Sequence, residues 1–382
     1  MKKIYYWSPC LTKVGTVKST VNSCIALSKY NRNRYEVVLL NACGEWDNYK
    51  KTLEKNKIKI LDLNFKYYKF LPKNGYFWSR ISYVLIFLLS YYPLKKIFKK
   101  YKPDYIIIHL ITSLPIFINF FNNFHTKLIL RISGFPKLNF VRKNFWKFAS
   151  KKIEFITSPT NDLIYQLIKL NIFEEKKLYF LPDAIINMQD LRKIFKEKNE
   201  LDNRLTNKNY FIAVGRLTKQ KNFSYLIHEF KKFLSTNPNE ALVIFGEGEE
   251  KNNLMKIINE EKLSNNIILM GHSNFVYLYM RKAYALILSS LWEDPGFVLV
   301  EAAFSNLFII SSNCKNGPKE ILNNGEGGLL FENNRKNALY EKLIYQKKMN
   351  EEIKFKMKIK SKKNCKKYSS FNHYLKLQKL LS

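Results

Sequence analysis

The chain has 382 residues, enough for two domains that each bury a full core. Hydrophobic residues make up 46% of it, a share typical of a globular protein rather than a disordered one. Its 65 Lys and Arg residues outnumber its 31 Asp and Glu residues, for a formal net charge of +34. Such a chain favours anionic partners, namely phosphorylated substrates, lipid head groups or nucleic acid. The five cysteines show no Cys-x-x-Cys pair and no metal-ligand spacing, so we expect free thiols.

The first half alternates short apolar runs with amphipathic segments, the pattern of a parallel sheet covered by helices. The predicted strands are 3–7, 35–41, 58–63, 105–110, 127–132 and 155–158, with a helix at 17–29. No signal peptide opens the chain, because the start Met1-Lys2-Lys3-Ile4 leads into aromatic residues and a proline. We therefore expect a cytoplasmic protein.

The segment 65–100 contains an apolar and aromatic run of twelve residues, 81–92, with cations on both sides. Twelve residues are too few to span a membrane, which takes about 20. The run is explained equally well as a buried helix of the first domain and as a helix that lies among lipid head groups. Residues 51–150 hold 19 Lys and Arg but 3 Asp and Glu, which favours peripheral contact with an anionic membrane.

A polar stretch near 187–209 separates the two halves, and the strand pattern then repeats. The predicted strands of the second half are 210–214, 241–245, 266–270, 285–289 and 308–312. We expect an N-terminal domain at 1–190, a second at 205–360 and a terminal segment at 361–382, whose residues 368–381 have helical spacing. The fold class is α/β, with two doubly wound domains and a cleft between them.

A strand-to-helix loop of the second half carries Gly215, Arg216 and Lys221. Glycine lets a ligand approach the backbone closely. A planar guanidinium and an ammonium group can neutralise a diphosphate. In isolation, two surface cations in a cation-rich protein explain the loop equally well.

Two carboxylates, Glu293 and Glu301, stand eight positions apart after the apolar run 283–290. Glu293 is expected at the carboxyl end of a strand, where ligands of open α/β sheets bind, and Glu301 on the next helix. Together they can accept hydrogen bonds from two hydroxyl groups of one ligand. The alternative is a solvated loop acid and a glutamate favoured at a helix start. The occurrence of both motifs in this order, each after a strand, favours a ligand site.

Five elements in order resemble the nucleotide-sugar domain of family-four retaining glycosyltransferases of GT-B architecture (glycosyl transferases group 1), of the capsule, lipopolysaccharide and glycan biosynthesis type. They are Gly215-Arg216-Leu217 with Lys221, Phe245-Gly246-Glu247-Gly248, Gly271, Glu293-x7-Glu301, and Gly317-Pro318-x-Glu320 with Gly327-Gly328. The resemblance covers residues 205–345 strongly and the first half more loosely. It implies two Rossmann-like domains that face a cleft, the first binding an acceptor and the second the donor, with the terminal helix crossing back to the first domain.

The resemblance also implies roles for residues of the second half. Arg216 and Lys221 would neutralise the leaving diphosphate, Glu293 would bind the sugar ring, and Glu301 would hold the ribose hydroxyls. The further donor-binding residues it implies are Gly215, His272, Gly296 and Phe297.

The run Glu293-Asp294-Pro295-Gly296-Phe297 departs from the family pattern, which is usually Glu-Gly-Phe-Gly or Glu-Gly-Phe-Pro. Pro295 cannot donate a backbone hydrogen bond, and Asp294 adds a charge. We expect the departure to bear on sugar specificity rather than on activity.

In the first half, Gly15 and Thr16 open a helix after the first strand, where backbone amides and a hydroxyl can meet a phosphate. A family loop in this position faces the donor diphosphate, so the resemblance implies donor binding by both, with Lys13 as an acceptor contact. The alternative for Gly15 is a turn residue only. His109 ends a strand and is expected to contact the donor sugar, unless it is an ordinary buried histidine. Arg131 also ends a strand and is expected to meet an acceptor phosphate or hydroxyl.

We therefore interpret the chain as a retaining, metal-independent glycosyltransferase without a cofactor. Its donor is expected to be a nucleotide-diphosphate sugar, a UDP-sugar by preference, and its acceptor a glycan or lipid-linked glycan of the cell surface. Two alternatives have other requirements. A GT-B epimerase would lack the Arg-Lys and paired-Glu set, and a basic nucleic-acid-binding protein would not need the glutamates. Nucleic acid is not an expected partner.

Overall fold

The computed structural model of the chain describes residues 1–11, 15–31, 33–63, 71–72, 76–109, 113–136, 138–197, 201–205, 208–273 and 275–382. These residues form two compact units, Met1–Ala184 with Ser370–Ser382, and Ile185–Ser369. The second unit begins a few residues before the expected boundary because Ile185 and Ile186 are buried in its core. Residues 361–369, expected in the crossing segment, also belong to it, since Cys365 and Tyr368 are in the same core.

The first unit contains a parallel sheet of seven strands in the order β3-β2-β1-β4-β5-β6-β7. The strands are β1 Lys2–Trp7, β2 Tyr35–Asn41, β3 Lys59–Asp62, β4 Tyr105–His109, β5 Lys127–Arg131, β6 Phe155–Ser158 and β7 Leu178–Phe180. Alternate residues of β4 enter different cores, with Ile106 and Ile108 on one face and Ile107 on the other. Both faces are therefore buried, as in a doubly wound sheet.

Helices cover both faces of this sheet. They are α1 Gly15–Tyr30, α2 Lys50–Lys55, α3 Tyr76–Tyr101, α4 Leu114–Asn122, α5 Phe140–Ala149 and α6 Asn161–Lys169, together with the last helix, α15 Ser370–Leu381. Helix α6 shows how local sequence sets a helix start. The hydroxyl of Thr160 accepts a hydrogen bond from the Leu163 amide at 3.2 Å, and Leu163 and Leu167 then bury one face.

The second unit repeats the plan with six parallel strands in the order β10-β9-β8-β11-β12-β13. The strands are β8 Asn209–Val214, β9 Glu240–Phe245, β10 Ile267–Gly271, β11 Ala285–Leu288, β12 Phe308–Ser312 and β13 Leu329–Phe331. The helices are α7 Met188–Ile194, α8 Phe223–Leu234, α9 Lys251–Glu260, α10 Val276–Lys282, α11 Phe297–Phe304, α12 Pro318–Ile321, α13 Ala338–Lys348 and α14 Glu351–Cys365. The prediction of an α/β chain with two doubly wound sheets is confirmed.

Helix α15 is fixed to the first unit by a buried histidine. The Nδ1 atom of His373 lies 2.7 Å from the Pro182 carbonyl oxygen, and its Nε2 atom lies 2.7 Å from the Ser23 hydroxyl of α1. Because a carbonyl oxygen only accepts, Nδ1 carries the proton and Nε2 of the neutral ring accepts from Ser23. Ser23 is also 3.0 Å from the hydroxyl of Tyr6 in β1. A chain of hydrogen bonds thus joins the last helix, the first helix and the sheet.

We predict that His373 makes this attachment sensitive to acid. Burial lowers the pKa of His373 from 6.5 to about 4. The buried neutral histidine therefore makes its full contribution to the free energy of unfolding above about pH 6.5. That contribution is lost as the pH falls towards 4, and the loss amounts to up to about 3 kcal/mol. In His373→Asn, the side-chain amide still reaches the Pro182 carbonyl but does not titrate. Chemical denaturation across this pH range should show the free-energy gap between wild type and variant shrinking in acid. Parallel pH profiles would contradict the assignment.

Candidate active site

The two predicted motifs of the second unit lie in neighbouring loops at one edge of its sheet. The strand order reverses between β8 and β11, which are adjacent in the sheet. In open α/β sheets the loops after two such strands lead in opposite directions, and ligands bind in the crevice outside their carboxyl ends. The loop after β8 carries Gly215, Arg216 and Lys221, and the loop after β11 carries Glu293.

Glycines let the loops after β8 and β9 pack backbone against backbone. A Cβ atom added to Gly246, whose φ is +147°, would lie 1.8 Å from the Gly215 carbonyl oxygen. At Gly215 itself an added Cβ would lie 2.9 Å from Cε of Lys221. The lysine stem therefore runs directly across Gly215, and this contact directs its ammonium group towards the loop after β11.

The ammonium group of Lys221 forms a buried ion pair with Glu293. Its Nζ atom is 2.5 Å from Oε1 of Glu293, and the side chains are 13% and 6% exposed. The hydroxyl of Ser290 donates to the same Oε1 atom at 2.5 Å. Within the part of the chain that the structure describes, Oε2 accepts no hydrogen bond. One carboxylate oxygen is thus fixed by the protein, and the other is left with acceptor capacity for a ligand.

Backbone contacts hold the Glu293 loop from both sides. On one side, the Leu291 amide donates to the Gln220 carbonyl oxygen and Nε2 of Gln220 donates to the Trp292 carbonyl oxygen, both at 2.8 Å. On the other side, the Glu293 amide donates to the Lys315 carbonyl oxygen, in the loop after β12, at 3.2 Å. Glu293 is therefore positioned by three strand-end loops.

The departure Asp294-Pro295 produces a tight turn ahead of α11. The peptide bond between the two residues is cis, and Gly296, with φ of +92°, directly precedes the helix. A Cβ atom added to Gly317 would lie 1.8 Å from the Pro295 carbonyl oxygen, so these two loops also touch through their backbones.

Asp294 is exposed, but its carboxylate lies at the base of this turn and accepts a hydrogen bond from Nδ2 of Asn316 at 3.3 Å. Loss of hydration there, reinforced by the neighbouring Glu293 carboxylate, raises the pKa of Asp294 to about 7. The structure therefore adds a second carboxylic acid beside Glu293, with a pKa near neutral pH.

Glu301 lies on α11, the helix that follows the Glu293 loop. It contacts a residue that the sequence motifs do not indicate. Tyr277 of α10 shares a hydrogen bond with the Glu301 carboxylate. Burial, together with that carboxylate, raises the pKa of the Tyr277 phenol well above its usual range, so the phenol stays protonated. Tyr277 was missed because it lies on another helix, outside every motif, and only the fold brings it to Glu301.

The remaining predicted residues of the second unit border this group. Arg216 is exposed, and its side chain makes no ion pair or hydrogen bond with the residues that the structure describes. His272 is exposed after Gly271, whose φ is +67°. Phe297 is half-buried at the first position of α11.

Three predicted residues of the first unit lie at the switch point of its own sheet, between β1 and β4. Gly15 and Thr16 begin α1, and His109 ends β4. A Cβ atom added to Gly15 would meet nothing within 4 Å, so packing does not require glycine there. Lys13, the expected acceptor contact, lies outside the described residues.

His109 is 3% exposed and packs against the Tyr6 ring at 5.9 Å. Burial, and secondarily the charge of Arg131, hold its pKa well below the usual range, so the imidazole is neutral. Its Nδ1 atom has no hydrogen-bond partner among the described residues, which do not include the adjacent 110–112.

Arg131, expected to meet an acceptor, is engaged inside the first unit. It is 2% exposed, and its guanidinium donates to Oδ1 of Asp183 and to the Leu181 carbonyl oxygen, each at 2.5 Å. The hydroxyl of Ser19 donates to the same Asp183 oxygen at 2.5 Å. A buried arginine with these partners is costly to release, so the geometry favours a structural role over acceptor binding.

The described residues of the site do not favour metal binding or catalysis by cysteine. Among the described residues, no group of three or more His, Cys, Asp or Glu side chains is arranged to hold a metal ion. Cys314 lies near Glu293, but burial and that carboxylate raise the pKa of its thiol to about 12. A protonated thiol is a poor nucleophile, so the arrangement favours binding and charge neutralisation over covalent catalysis by cysteine.

Comparison with known proteins gives a consistent set of similarities. Residues 195–368 match the family model described as glycosyl transferases group 1. An uncharacterized glycosyltransferase of Methanocaldococcus jannaschii is 30% identical over 299 residues, which cover 70% of this chain and 68% of that protein. The N-acetylgalactosamine-N,N'-diacetylbacillosaminyl-diphospho-undecaprenol 4-alpha-N-acetylgalactosaminyltransferase of Campylobacter jejuni is 29% identical over 222 residues, covering 57% of this chain and 60% of that enzyme.

Solved structures show the same fold at low sequence identity. A glycosyltransferase from Rickettsia africae superposes with a TM-score of 0.77 at 16% identity, covering 100% of this chain and 98% of that one. The Anabaena protein HepE, in complex with UDP and glucose, superposes with a TM-score of 0.73 at 13% identity, covering 100% and 99%.

We predict that the pair of Lys221 and Glu293 is strongly coupled in stability. Lys221→Met leaves a buried, uncompensated carboxylate and should lower the free energy of unfolding by about 3 kcal/mol. The double variant Lys221→Met/Glu293→Gln should recover most of this loss. The matched control is Lys251→Met on α9, which removes a surface pair with Glu247 and should cost less than about 0.5 kcal/mol. Chemical denaturation of these proteins and of Glu293→Gln, which completes the double-mutant cycle, measures the coupling. Equal losses in Lys221→Met and Lys251→Met would refute it.

Proposed function

The chain belongs to the glycosyl transferases group 1 family, and we propose that it transfers a sugar from a nucleotide-diphosphate sugar with retention of anomeric configuration. The predicted membership of glycosyl transferases group 1 and the predicted GT-B fold are confirmed. The chain is thus a glycosyltransferase of glycan biosynthesis, and the donor, the stereochemistry and the acceptor are the content of the proposal.

The observation that carries the proposal is the cluster of Lys221, Glu293 and Arg216 at the switch point of the second sheet. When the bond between the anomeric carbon and the diphosphate breaks, negative charge develops on the leaving oxygen. Arg216, which is exposed and unpaired among the described residues, would bind that charge with its planar fork. Lys221 would add a second cation from a fixed position, and such preorganised charges lower the barrier without a metal ion.

Glu293 would orient the donor sugar through its Oε2 atom, which accepts no hydrogen bond from the described residues. Its other oxygen is occupied by Lys221 and Ser290, so the carboxylate cannot swing away from the crevice. The amides at the start of α11, after Gly296, would face the diphosphate, and Phe297 would border it. Glu301 would accept hydrogen bonds from the ribose hydroxyls, held in place by Tyr277. Gly215 would serve donor binding through Lys221, because the absence of a Cβ atom lets the lysine stem cross it, and His272 would border the base.

The transfer itself would proceed on one face of the sugar. The acceptor hydroxyl gives its proton to the departing phosphate oxygen while its own oxygen forms the new bond to the anomeric carbon. Gly15, Thr16 and His109 are the first-unit residues we propose for donor binding. The Nδ1 atom of the neutral His109 ring has no partner among the described residues, which supports that role, because a buried nitrogen without a partner gains by meeting a sugar hydroxyl.

UDP is the donor nucleotide that the comparisons favour. The HepE structure holds UDP and glucose. Another relative, from Escherichia coli, is described as a UDP-Gal:alpha-D-GlcNAc-diphosphoundecaprenol alpha-1,3-galactosyltransferase, and is 30% identical over 181 residues. Its name and that of the Campylobacter enzyme describe acceptors linked to undecaprenol diphosphate. We propose a similar lipid-linked glycan acceptor here, met by the enzyme at the inner face of the membrane.

Nucleotide binding provides the first test. In thermal shift measurements, UDP and UDP-sugars should raise the melting temperature of the wild-type protein, since a ligand at about 100 times its Kd stabilises by about 2.7 kcal/mol. Arg216→Ala should lose most of that shift, whereas Lys256→Ala, which removes an exposed cation on α9, should keep it. If no UDP, GDP, ADP or CMP compound shifts the protein and it instead binds nucleic acid in a salt-sensitive way, the proposal fails.

Product stereochemistry and chelation provide the second test. We expect the anomeric configuration of the donor to be preserved in the product, as measured by NMR coupling constants. The rate should be unchanged by EDTA, because Arg216 and Lys221 supply the positive charge at the diphosphate. An inverted product would refute the front-face mechanism, and loss of activity in EDTA would refute the metal-independent role of the two cations.

A further inference from the structure

Helix α3 exposes an apolar surface where a soluble helix normally exposes charge. Its buried residues recur every four positions and pack into the first unit, as Ile86, Leu94 and Phe98 do. The opposite side carries large apolar residues in solvent, among them Leu88 at 62% and Tyr92 at 75% exposure. An amphipathic helix of a globular protein should be polar on that side, so this face is unusual.

The apolar surface continues onto the two following helices through a chain of ring contacts. Phe87 of α3 packs on Phe117 of α4 at 5.9 Å, and Phe117 packs on Phe121 at 4.6 Å. Phe120 of α4 then meets Phe148 of α5 at 5.0 Å. We call the following exposed residues of these three helices the aromatic face: Trp78, Val84, Leu85, Leu88, Leu89, Tyr92, Phe117, Phe121, Phe140, Val141, Phe145 and Phe148.

Exposed cations flank the aromatic face, and acids are almost absent from this stretch. The last two turns of α3 carry Lys96, Lys99 and Lys100, and α5 carries Arg142 and Lys143, all exposed. Between residues 76 and 152 the sequence contains 14 Lys and Arg but a single acid, Asp104. An apolar and aromatic surface edged by cations is complementary to a bilayer with anionic head groups, whose tails accept the rings and whose phosphates accept the cations.

We propose that the aromatic face docks the first unit on an anionic lipid bilayer, with α3 lying in the plane of the head groups. The inference rests on the proposed function, since a lipid-linked acceptor is what brings the enzyme to a membrane. It goes further by assigning the contact to α3, α4 and α5.

Helix α3 contains a stretch, Arg80–Tyr101, that is long and apolar enough to cross a membrane. Its packing opposes that arrangement. Ile86, Leu94 and Phe98 are at most 2% exposed within the core of the first unit, and a spanning helix would have to leave that core. A second copy of the chain is a poor occupant, because two faces edged by cations would repel each other.

Vesicle flotation of the full-length protein tests the docking. We expect wild type to float with phosphatidylcholine vesicles that contain phosphatidylglycerol, to stay in solution with pure phosphatidylcholine, and to be released by salt. Val84→Gln/Leu88→Gln removes apolar contact, and Lys96→Gln/Lys99→Gln/Arg142→Gln/Lys143→Gln removes charge. Each set of substitutions should weaken binding to the anionic vesicles by about tenfold or more, because insertion of the apolar side chains and attraction of the cations to the head groups both contribute. The controls are Met255→Gln and Lys256→Gln, at exposed positions on α9 of the second unit, which should bind as wild type does.

The same preparations separate this inference from the proposed function. Each variant should keep the melting-temperature shift with UDP compounds, which shows that it folds and binds donor. Wild type that shows this shift but does not float with anionic vesicles overturns the docking. Vesicle binding as expected, without any nucleotide shift, supports the docking and removes the transferase proposal. Two further outcomes also overturn the docking. One is wild type that alkaline carbonate does not extract from cell membranes, which indicates a spanning helix. The other is a wild-type dimer in light scattering that becomes a monomer in Val84→Gln/Leu88→Gln, which indicates that a second copy covers the face.

Discussion

The ion pair between Lys221 and Glu293 is the interaction on which the candidate site depends. Removing two charges from water costs several kcal/mol for each ion, so a buried pair persists only when geometry and further hydrogen bonds offset that cost. Here Ser290 supplies the additional bond, and backbone contacts from the loops after β8 and β12 keep Glu293 in place. The carboxylate becomes a fixed acceptor, which is what the proposed role of Glu293 in orienting a sugar requires.

The two sheets share one order over six strands, with β7 added at the edge of the first, yet different residues lie at their switch points. The second sheet places there the ion pair of Lys221 and Glu293, and Arg216, which is unpaired among the described residues, whereas the first places the neutral His109 at the end of β4. The first unit also has a buried ion pair, Arg131 with Asp183, one strand further along. That pair is joined by Ser19 of α1 and keeps no exposed face, so similar chemistry stabilises packing in one unit and forms a candidate site in the other.

The sequence predicted the architecture well because central parallel strands are continuous apolar runs, which are visible without any partner. The two strands it missed, β7 and β13, are three-residue strands at sheet edges, too short to show a pattern. Motif spacing placed Lys221 and Glu293 in strand-end loops, but nothing in the spacing showed that the two loops are neighbours or that the residues form a pair. The engagement of Arg131 was out of reach because its partner, Asp183, lies 52 residues away in a loop without a motif.

The distribution of charge also separates two tasks that the total of +34 conceals. In the loop after β8, Lys221 is balanced by its ion pair with Glu293, whereas Arg216 is exposed and makes no ion pair with the residues that the structure describes. In the proposed function both cations meet the diphosphate, and selectivity comes from their positions rather than from the overall positive field. Around the aromatic face, the cations are exposed and few acids lie near them in the sequence, so their attraction to the proposed anionic lipid surface is long-ranged and sensitive to salt. Docking of that kind is reversible. For an enzyme with a lipid-linked acceptor, reversible confinement raises the local concentration of acceptor while leaving the enzyme free to exchange donor from solution.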